Sequence, residues 1–147
     1  MEFVVAVFGG LIGALLGFLV QVFLSVRSSE VSAISDQIAD LKRIEQFAIQ
    51  YWLADKHDPQ LNKELATKLR GAIMASSSFE EIGPQVLGCR FSKYSDLVLE
   101  LDDIVTGGDF EDDLKDVDPA RVVAAMRVTG ELVSHLRVCR KFVYLWR

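Results

Sequence analysis

Two histidines, and the arginines near one of them, are the residues of this chain best suited to acid–base chemistry. His57 and His135 are the only histidines, and Arg127 and Arg137 lie on either side of His135. A histidine can act as a general base near neutral pH, but catalysis by His135 would need a partner side chain. No Ser-His-Asp or Cys-His set can be recognised. We therefore take Arg127, His135 and Arg137 as candidate functional residues, assign no catalytic residue and favour a non-enzymatic protein.

The segment 100–118 contains nine acidic residues and one basic residue, Lys115. Asp109, Glu111 and Asp113 alternate as calcium ligands do, but the glycine and the distal glutamate of an EF-hand loop are missing from their places. A solvated acidic loop is the better interpretation of such a charge run. The sequence therefore predicts no metal site and no cofactor.

The last eleven residues, 137–147, are basic and aromatic and contain no acid. This combination occurs in RNA-binding segments and in segments that lie on a membrane surface. It also occurs where cations stabilise the C-terminus of a helix while the rings pack, which is our first interpretation. Because the net charge is −5, we do not expect nucleic acid as a partner of the whole molecule. The residues concerned are Arg137, Arg140, Lys141, Phe142, Tyr144, Trp146 and Arg147.

Cys89 and Cys139 are the only cysteines, and they form no CxxC pair. Two cysteines this far apart in the sequence indicate neither a zinc site nor a disulfide framework. A free cysteine is among the residue types most often buried. We therefore expect both thiols to be buried and reduced.

The composition indicates two environments in one chain, since 50% of the residues are hydrophobic while 25% are charged. Residues 3–20 contain no polar side chain, and the apolar run extends to Val26 with only Gln21 and Ser25 inside it. About 20 helical residues span roughly 30 Å of hydrocarbon. The N-terminal flank has Glu2 and no Lys or Arg, unlike a secretory signal peptide. We predict an uncleaved transmembrane signal anchor over residues 1–27.

Small and polar residues recur at every fourth position of this anchor. Glycines let two helices approach closely, and polar side chains can form hydrogen bonds between helices inside a membrane. One chain has only one such helix, so the stripe would contact another copy or another membrane protein. The alternative is that glycine is simply common in membrane helices and that Gln21 lies near the interface. We predict a homo-oligomer with an interface at Gly9, Gly13, Gly17, Gln21 and Ser25.

Arg27 follows the apolar run directly, and Lys42 and Arg43 come next. The positive-inside rule then places the N-terminus outside and residues 28–147 in the cytosol. The spacing of apolar residues over about 29–53 predicts an amphipathic helix. This helix either begins at a cap on Ser28 or Ser29 or continues the membrane helix.

Two Asp-Pro pairs, Asp58-Pro59 and Asp118-Pro119, each combine a capping side chain with a proline in the first turn, and they predict two helix starts. The first of these helices ends at 76–78, and the second runs to about Trp146. Leu61 and Met126 belong to their predicted buried stripes.

A further helix is predicted to open at Ser92 or Ser95 and to end at Gly107-Gly108. The segment 79–90, with its glycines and proline, is predicted to be a connector, in which Ser78 and Glu81 resemble a capping box. The four amphipathic helices and the lack of a convincing strand favour an all-α fold, a four-helix bundle over residues 28–147.

This layout, a glycine-bearing N-terminal span followed by a compact helical domain, resembles the small membrane accessory proteins of bacterial antiviral systems. The segments VTGGDFE and DPARV also look like segments of uncharacterised bacterial membrane proteins. The nearest resemblance is to the proteins that accompany type VI CRISPR effectors, which have a HEPN-like bundle and assemble around a pore. It implies a HEPN-like fold, the bacterial inner (plasma) membrane and a pore or scaffold role. HEPN ribonucleases carry Arg, four to six residues and then His, whereas seven residues separate Arg127 from His135.

Three functional hypotheses follow. The first is an oligomeric inner-membrane effector or pore-forming subunit, acting in antiviral defence. The second is a membrane-anchored interaction module, or scaffold, that recruits a soluble protein partner. The third is a membrane-tethered, HEPN-like RNA-processing enzyme that would use Arg127 and His135.

Overall fold

The computed structural model describes the backbone of residues 2–55, 57–112 and 115–145, and the side chains of 13–55, 57–112 and 115–143. Within these ranges the chain is entirely helical and contains no strand. The helices are α1 (Glu2–Leu53), α2 (Pro59–Ser77), α3 (Phe79–Leu87), α4 (Phe91–Thr106) and α5 (Pro119–Leu145). A 3-10 turn, Gly88–Arg90, connects α3 to α4.

Helix α1 is continuous over 52 residues, so the predicted membrane helix continues into the first helix of the bundle without a cap at Ser28 or Ser29. At 1.5 Å per residue it is about 78 Å long. Its first half is long and apolar enough to cross a membrane, judged by length and composition. The side chains of residues 13–26 are all exposed, since no other described part of the chain covers them. The predicted boundary between residues 27 and 28 therefore lies inside one helix.

The second half of α1 packs against α2 and α5, and α5 packs against α4. Helix α5 runs antiparallel to α1, because the Asp118 amide donates to the Trp52 carbonyl, 3.0 Å away, and the Arg27 guanidinium donates to the Val143 carbonyl. We call the end of the bundle at Arg27 and Val143 the proximal end, because it adjoins the exposed apolar half of α1. The end at Trp52 and Asp118 is the distal end. Helices α1, α2, α4 and α5 thus form a helical bundle.

Both Asp-Pro helix starts are confirmed. Asp58 Oδ1 accepts from the Leu61 amide at 3.0 Å, and Asp118 Oδ1 accepts from the Arg121 amide at 2.9 Å. Each carboxylate satisfies an amide that has no partner within its own helix. Gly107 ends α4, also as predicted.

The other predicted caps are wrong. Helix α4 begins at Phe91 without a side-chain cap, rather than at Ser92 or Ser95. The Ser78 hydroxyl donates to the Ala75 carbonyl at 2.8 Å and does not cap α3. A serine hydroxyl can donate a hydrogen bond to a carbonyl of the preceding turn, and here Ser78 forms that local bond instead of a capping box.

The predicted connector 79–90 is helical. Phe79, Gly83 and Leu87 are buried at steps of four, which gives α3 a core-facing side. A Cβ atom at Gly83 would lie 2.5 Å from Cε2 of Phe91, so this glycine permits close packing rather than breaking the helix. Gly88 ends α3 with φ +58°, a backbone conformation that glycine adopts without strain.

A buried polar cluster joins three helices at the middle of the bundle. Nε2 of Gln37, on α1, donates to Ser76 Oγ at 2.7 Å on α2 and to the Tyr94 hydroxyl at 2.6 Å on α4. Burial raises the pKa of Tyr94, so its hydroxyl stays protonated. The sequence pattern does not predict a buried residue at position 37.

Apart from this cluster and the buried Asn62, Lys115 and Thr129, the core is apolar, and it runs the whole length of the bundle. Burying a large apolar side chain fully contributes about 1.5–3 kcal/mol, so these residues supply most of the stability. The predicted inward positions Leu61 and Met126 are wrong, since 41% and 47% of these residues are exposed. The most deeply buried large apolar residues are Trp52, Tyr51, Tyr94, Ile34, Leu41, Leu69, Leu132, Leu136, Val105 and Val128.

Candidate functional site

The stripe of small and polar residues lies on the exposed half of α1. Gly13, Gly17, Gln21 and Ser25 are all exposed. A Cβ atom built on Gly13 or on Gly17 would have no heavy atom within 4 Å, apart from its own helix backbone. The surroundings of Gly9 lie outside the described side chains. The described part of the stripe is therefore free to contact another helix.

Arg127 is held by two carboxylates on the surface. Its guanidinium donates to Glu100 of α4 at 2.7 Å and to Glu131 of α5 at 2.8 Å. The hydrogen bond to Glu100, followed by the one to Glu131, raises the pKa of Arg127. The contact with Glu100 ties α4 to α5, and the two hydrogen bonds use two of the five N–H donors of the guanidinium.

His135 makes a structural contact with the backbone. Its Nε2 lies 3.0 Å from the Arg90 carbonyl oxygen. A carbonyl can only accept, so Nε2 carries the proton and donates. Sγ of Cys139 is 3.7 Å from the same nitrogen. The contact fixes the 3-10 turn against α5.

Arg127 and His135 do not converge on one point. They are eight positions apart on α5, which places them about 12 Å apart along the helix axis and about 80° apart around it. Both line an open surface groove with Lys93, but each is engaged as described. Arg137 is exposed. The geometry brings the three candidate residues onto one helix without forming an acid–base pair.

The proximal end collects cations from three helices and the 3-10 turn. Within the described part of the chain, none of them forms an ion pair with a carboxylate. Arg27 lies over the Phe23 ring at 4.5 Å from its centroid, and Arg140 donates to Ser35 Oγ at 3.4 Å. The sequence shows only part of this cluster, because the members are up to 114 positions apart. They are Arg27, Arg90, Lys93, Arg137, Arg140 and Lys141.

A partly open cavity of about 250 Å³ lies between the 3-10 turn and the last turns of α5 at the proximal end. The Arg90 guanidinium lies over the Phe142 ring, 3.6 Å from its centroid. Nη1 of Arg90 is buried and has no hydrogen-bond partner. The cavity is lined by Val86, Leu87, Gly88, Cys89, Arg90, Cys139, Phe142 and Val143.

The two cysteines both line this cavity but differ in exposure. Cys139 is buried as predicted, whereas the prediction for Cys89 is wrong because that residue is exposed. Burial raises the pKa of Cys139, an effect that the neighbouring Arg90 guanidinium opposes. Cys139 is therefore a neutral thiol that leaves the charge of Arg90 uncompensated.

Two cations of the distal end, Lys115 and Arg121, point inward, whereas Arg70 is exposed and pairs with Glu111 at 2.6 Å. Lys115 is 1% exposed; its Nζ donates to the Ala54 carbonyl at 3.2 Å and lies 4.7 Å from the Tyr51 ring centroid. Burial lowers the pKa of Lys115, while Asp55 opposes this effect. Lys115 thus attaches the acidic loop to the C-terminal end of α1.

Arg121 binds the C-terminal end of α4 in a similar way. Its Nη1 donates to the carbonyls of Ile104 at 3.0 Å and Gly107 at 2.6 Å, which lack partners within the helix. Its Nε lies 3.3 Å from Asp118 Oδ2, and its guanidinium lies 4.3 Å from the Trp52 ring centroid. Lys115 and Arg121 therefore attach the loop between α4 and α5 to the core.

The acidic segment itself lies on this loop and on the end of α4. The Glu111 amide donates to the Tyr51 hydroxyl at 2.8 Å, which holds Glu111 at φ +67°. Asp113, one of the three alternating acids, lies outside the described residues. Among the residues that are described, no group of three or more His, Cys, Asp or Glu could hold a metal ion.

A second cavity, of about 150 Å³, separates α2 from α4. Leu41 and Ile44 of α1 line it, and both are buried in the core. Acidic side chains from α3 and α4, Glu80 and Asp102, also line this cleft. It is an apolar cleft with an acidic border.

A comparison of the chain with known protein families, with curated proteins and with solved structures finds no match in any of the three.

Proposed function

We propose that this chain is a single-pass membrane protein that works as a subunit of a homo-oligomer in the bacterial inner membrane, with its bundle in the cytosol. The observation that carries the proposal is the exposed apolar part of α1, residues 13–26, which no other described part of the chain covers. Soluble monomers rarely expose an apolar surface that long and continuous. A bilayer would cover it, at about 25 cal/mol for each Å² of apolar area removed from water.

The charges at the proximal end support the orientation. The positive-inside rule rests on cations that adjoin the span, of which the sequence provides Arg27. The fold adds Arg90, Arg140 and Lys141 at the same end of the bundle. A cytosolic bundle would place these cations against the anionic inner surface of the membrane.

The stripe on α1 supports the oligomer. Gly13 and Gly17 leave space for a second helix, and Gln21 and Ser25 could form hydrogen bonds across the interface. Because α1 is one continuous helix, packing of the spans would also bring the bundles together. Such an assembly would serve as a membrane effector or as a pore, and the resemblance to antiviral accessory proteins adds a role in defence to the proposal.

Light scattering of the full-length protein in mild detergent tests the oligomer. We expect the wild type to form an oligomer and Gly13→Leu to reduce it to monomers, since the larger side chain separates the helices. Leu15→Phe, which enlarges a residue about 200° around the helix from Gly13, is the matched control and should leave the oligomer unchanged. A wild-type monomer, or an oligomer that tolerates Gly13→Leu, would refute the proposal. Ion flux into vesicles then separates a pore from a non-conducting assembly.

A second candidate function, an anchored interaction module, is favoured by the cleft between α2 and α4. Its apolar lining and acidic border suit a basic, amphipathic segment of a soluble protein. Cross-linking in membranes would test it with Leu99→Glu, at the cleft. Val123→Glu on α5 is the control, because the two residues are similarly exposed, at 68% and 65%. Loss of a partner from the first variant alone would support this function.

The third hypothesis, a tethered RNA-processing enzyme, receives the least support. His135 donates its Nε2 proton to a carbonyl, and Arg127 is paired with two carboxylates. A nuclease would need both groups to be free and close together.

A further inference from the structure

We propose that the cavity at the proximal end is a binding site for the phosphate group of an anionic phospholipid, with Arg90 as its principal ligand. The inference rests on the proposed insertion of α1 into a membrane. It concerns a different part of the molecule from the oligomer interface, namely the 3-10 turn and the C-terminal turns of α5.

The contacts of the Arg90 side chain are the first reason to expect an anion in this cavity. Its guanidinium has one face on the Phe142 ring, and its Nη1 is buried without a hydrogen-bond partner. Buried polar atoms without a partner are uncommon in native proteins, and each one calls for an explanation. No carboxylate among the described residues pairs with Arg90, and its side-chain hydrogen bond with the neighbouring Cys139 is to a neutral thiol. A guanidinium in this state lacks an anion, and its planar set of donors fits a phosphate.

The position of the cavity is the second argument. Val143 lines it, and the Val143 carbonyl accepts from Arg27, the residue at which the apolar run of α1 ends. The cavity therefore lies at the height where headgroups would begin if α1 spans the bilayer. Four apolar residues, Val86, Leu87, Phe142 and Val143, also line it and suit the glycerol and upper acyl region of a lipid.

The surrounding charge is the third argument. Arg137, Arg140 and Lys141 are exposed on α5 within two turns of Val143, and none is paired with a described carboxylate. Glu30 is the acidic residue of α1 closest in sequence to Arg27. The local excess is positive although the whole chain carries −5. Such a patch attracts the anionic surface of a membrane, which would face the proximal end. A polyanion in solution would also meet the acidic distal end, which repels it.

Native mass spectrometry of the full-length protein in detergent tests the site, with phosphatidylglycerol and phosphatidylcholine titrated separately. We expect wild-type protein to bind one phosphatidylglycerol at least tenfold more tightly than phosphatidylcholine. Arg90→Gln should lose this preference, and Arg90→Lys should keep part of it. Arg43→Gln is the matched control, because Arg43 lies in the middle of α1 and pairs with Asp40 at 3.2 Å. Equal binding of the two lipids, or an unchanged preference in Arg90→Gln, would overturn the proposal.

Inorganic phosphate separates a lipid site from a soluble-anion site. We expect millimolar phosphate to leave the bound phosphatidylglycerol in place, because it cannot use the apolar walls. Displacement of the lipid by phosphate at equal concentration would overturn the lipid assignment.

A labelling experiment tests the lipid site even if Arg90→Gln fails to fold. Cys89 is exposed and lines the cavity, whereas Cys139 is buried, so a bulky maleimide should react with Cys89 alone. The adduct should block phosphatidylglycerol binding, and bound phosphatidylglycerol should slow the labelling. A labelled protein that binds the lipid as well as the unlabelled protein would contradict the site.

Failure of this inference differs from failure of the proposed function. A chain that carbonate extracts from membranes contradicts insertion. An inserted chain without a lipid preference contradicts only the phosphate site, and Gly13→Leu should change the oligomer without changing lipid binding.

Discussion

Two cations of the distal end, Lys115 and Arg121, point inward onto carbonyls and aromatic rings, whereas the cations of the proximal end are mostly exposed and have no carboxylate partner among the described residues. At the distal end, Lys115 and Arg121 attach the acidic loop to the ends of α1 and α4. At the proximal end, Arg90 keeps a buried donor without an acceptor. Charges of the same sign thus occur in two different states within one bundle.

The difference separates cations that hold the fold from cations that are available to something outside it. A charged group that donates to buried carbonyls stabilises the native state, because those carbonyls would otherwise lose their hydrogen bonds. An exposed, unpaired cation adds little to stability and repels its neighbours. A cluster of such cations is better explained by an external anion, which the membrane surface would supply.

The largest expected effect is at the distal end. Arg121→Met should lower the free energy of unfolding by about 2–3 kcal/mol, because two carbonyls, one carboxylate and the Trp52 ring lose their contact. Urea unfolding of the full-length protein in mild detergent, followed by far-UV circular dichroism, measures it. Arg137→Met is the control and should change the stability by less than about 0.5 kcal/mol. Similar losses in the two variants would remove the distinction between the ends.

A smaller effect, about 1 kcal/mol or less, is expected at the cap of α5. Asn caps a helix as well as Asp, so Asp118→Asn removes the charge and keeps the cap. The hydrogen bond from the Arg121 amide lowers the pKa of Asp118 below its usual value of 3.8. The stability from this charge is therefore complete above that value, and it is lost as the pH falls through the lower pKa of the folded state.

The same urea titrations, made between pH 7 and pH 2, check this prediction. Wild type should be more stable than Asp118→Asn at pH 7, and the gap should close in acid. In the Arg121→Met background the gap should be smaller, because Arg121 contributes to it. A gap that stays constant with pH would contradict the assigned cause.

The smallest effect on stability is expected at the proximal end. The double variant Arg137→Gln/Lys141→Gln should unfold within about 0.5 kcal/mol of wild type, since neither side chain has a described carboxylate partner. Its binding to phosphatidylglycerol should be weaker, and the weakening should shrink at 1 M salt, where the screening length is about 3 Å. A stability loss of more than about 1 kcal/mol would show that these cations hold the fold.

Most of the fold follows from local signals in the sequence. The Asp58-Pro59 and Asp118-Pro119 starts and the end of α4 at Gly107 were predictable, because each depends on a few neighbouring residues. Helix α3 was not, because Gly83 is needed for its contact with Phe91, and a tertiary contact leaves no local trace. The sequence also left open whether α1 continues through Ser28 and Ser29, because a serine can cap a helix or lie inside one.

The sites divide in the same way. The stripe on α1 is a pattern of every fourth residue and is visible in the sequence. The proposed phosphate site is not, because Arg90 and Phe142 are far apart in the chain and meet only through the turn at Gly88. A search for charge patterns in the sequence would not have identified this proposed site. The inward direction of Lys115 and Arg121 is likewise a property of the folded loop.

If α1 spans a bilayer as proposed, its uninterrupted length would make the molecule a lever that pivots in the membrane. From Arg27 to Trp52 the helix extends about 38 Å, so a tilt of the span by about 10° would move the distal end sideways by about 7 Å. A span tilts when its hydrophobic length exceeds the thickness of the surrounding membrane. A change in bilayer thickness would thus be converted into a displacement of the acidic loop, at a distance from the membrane.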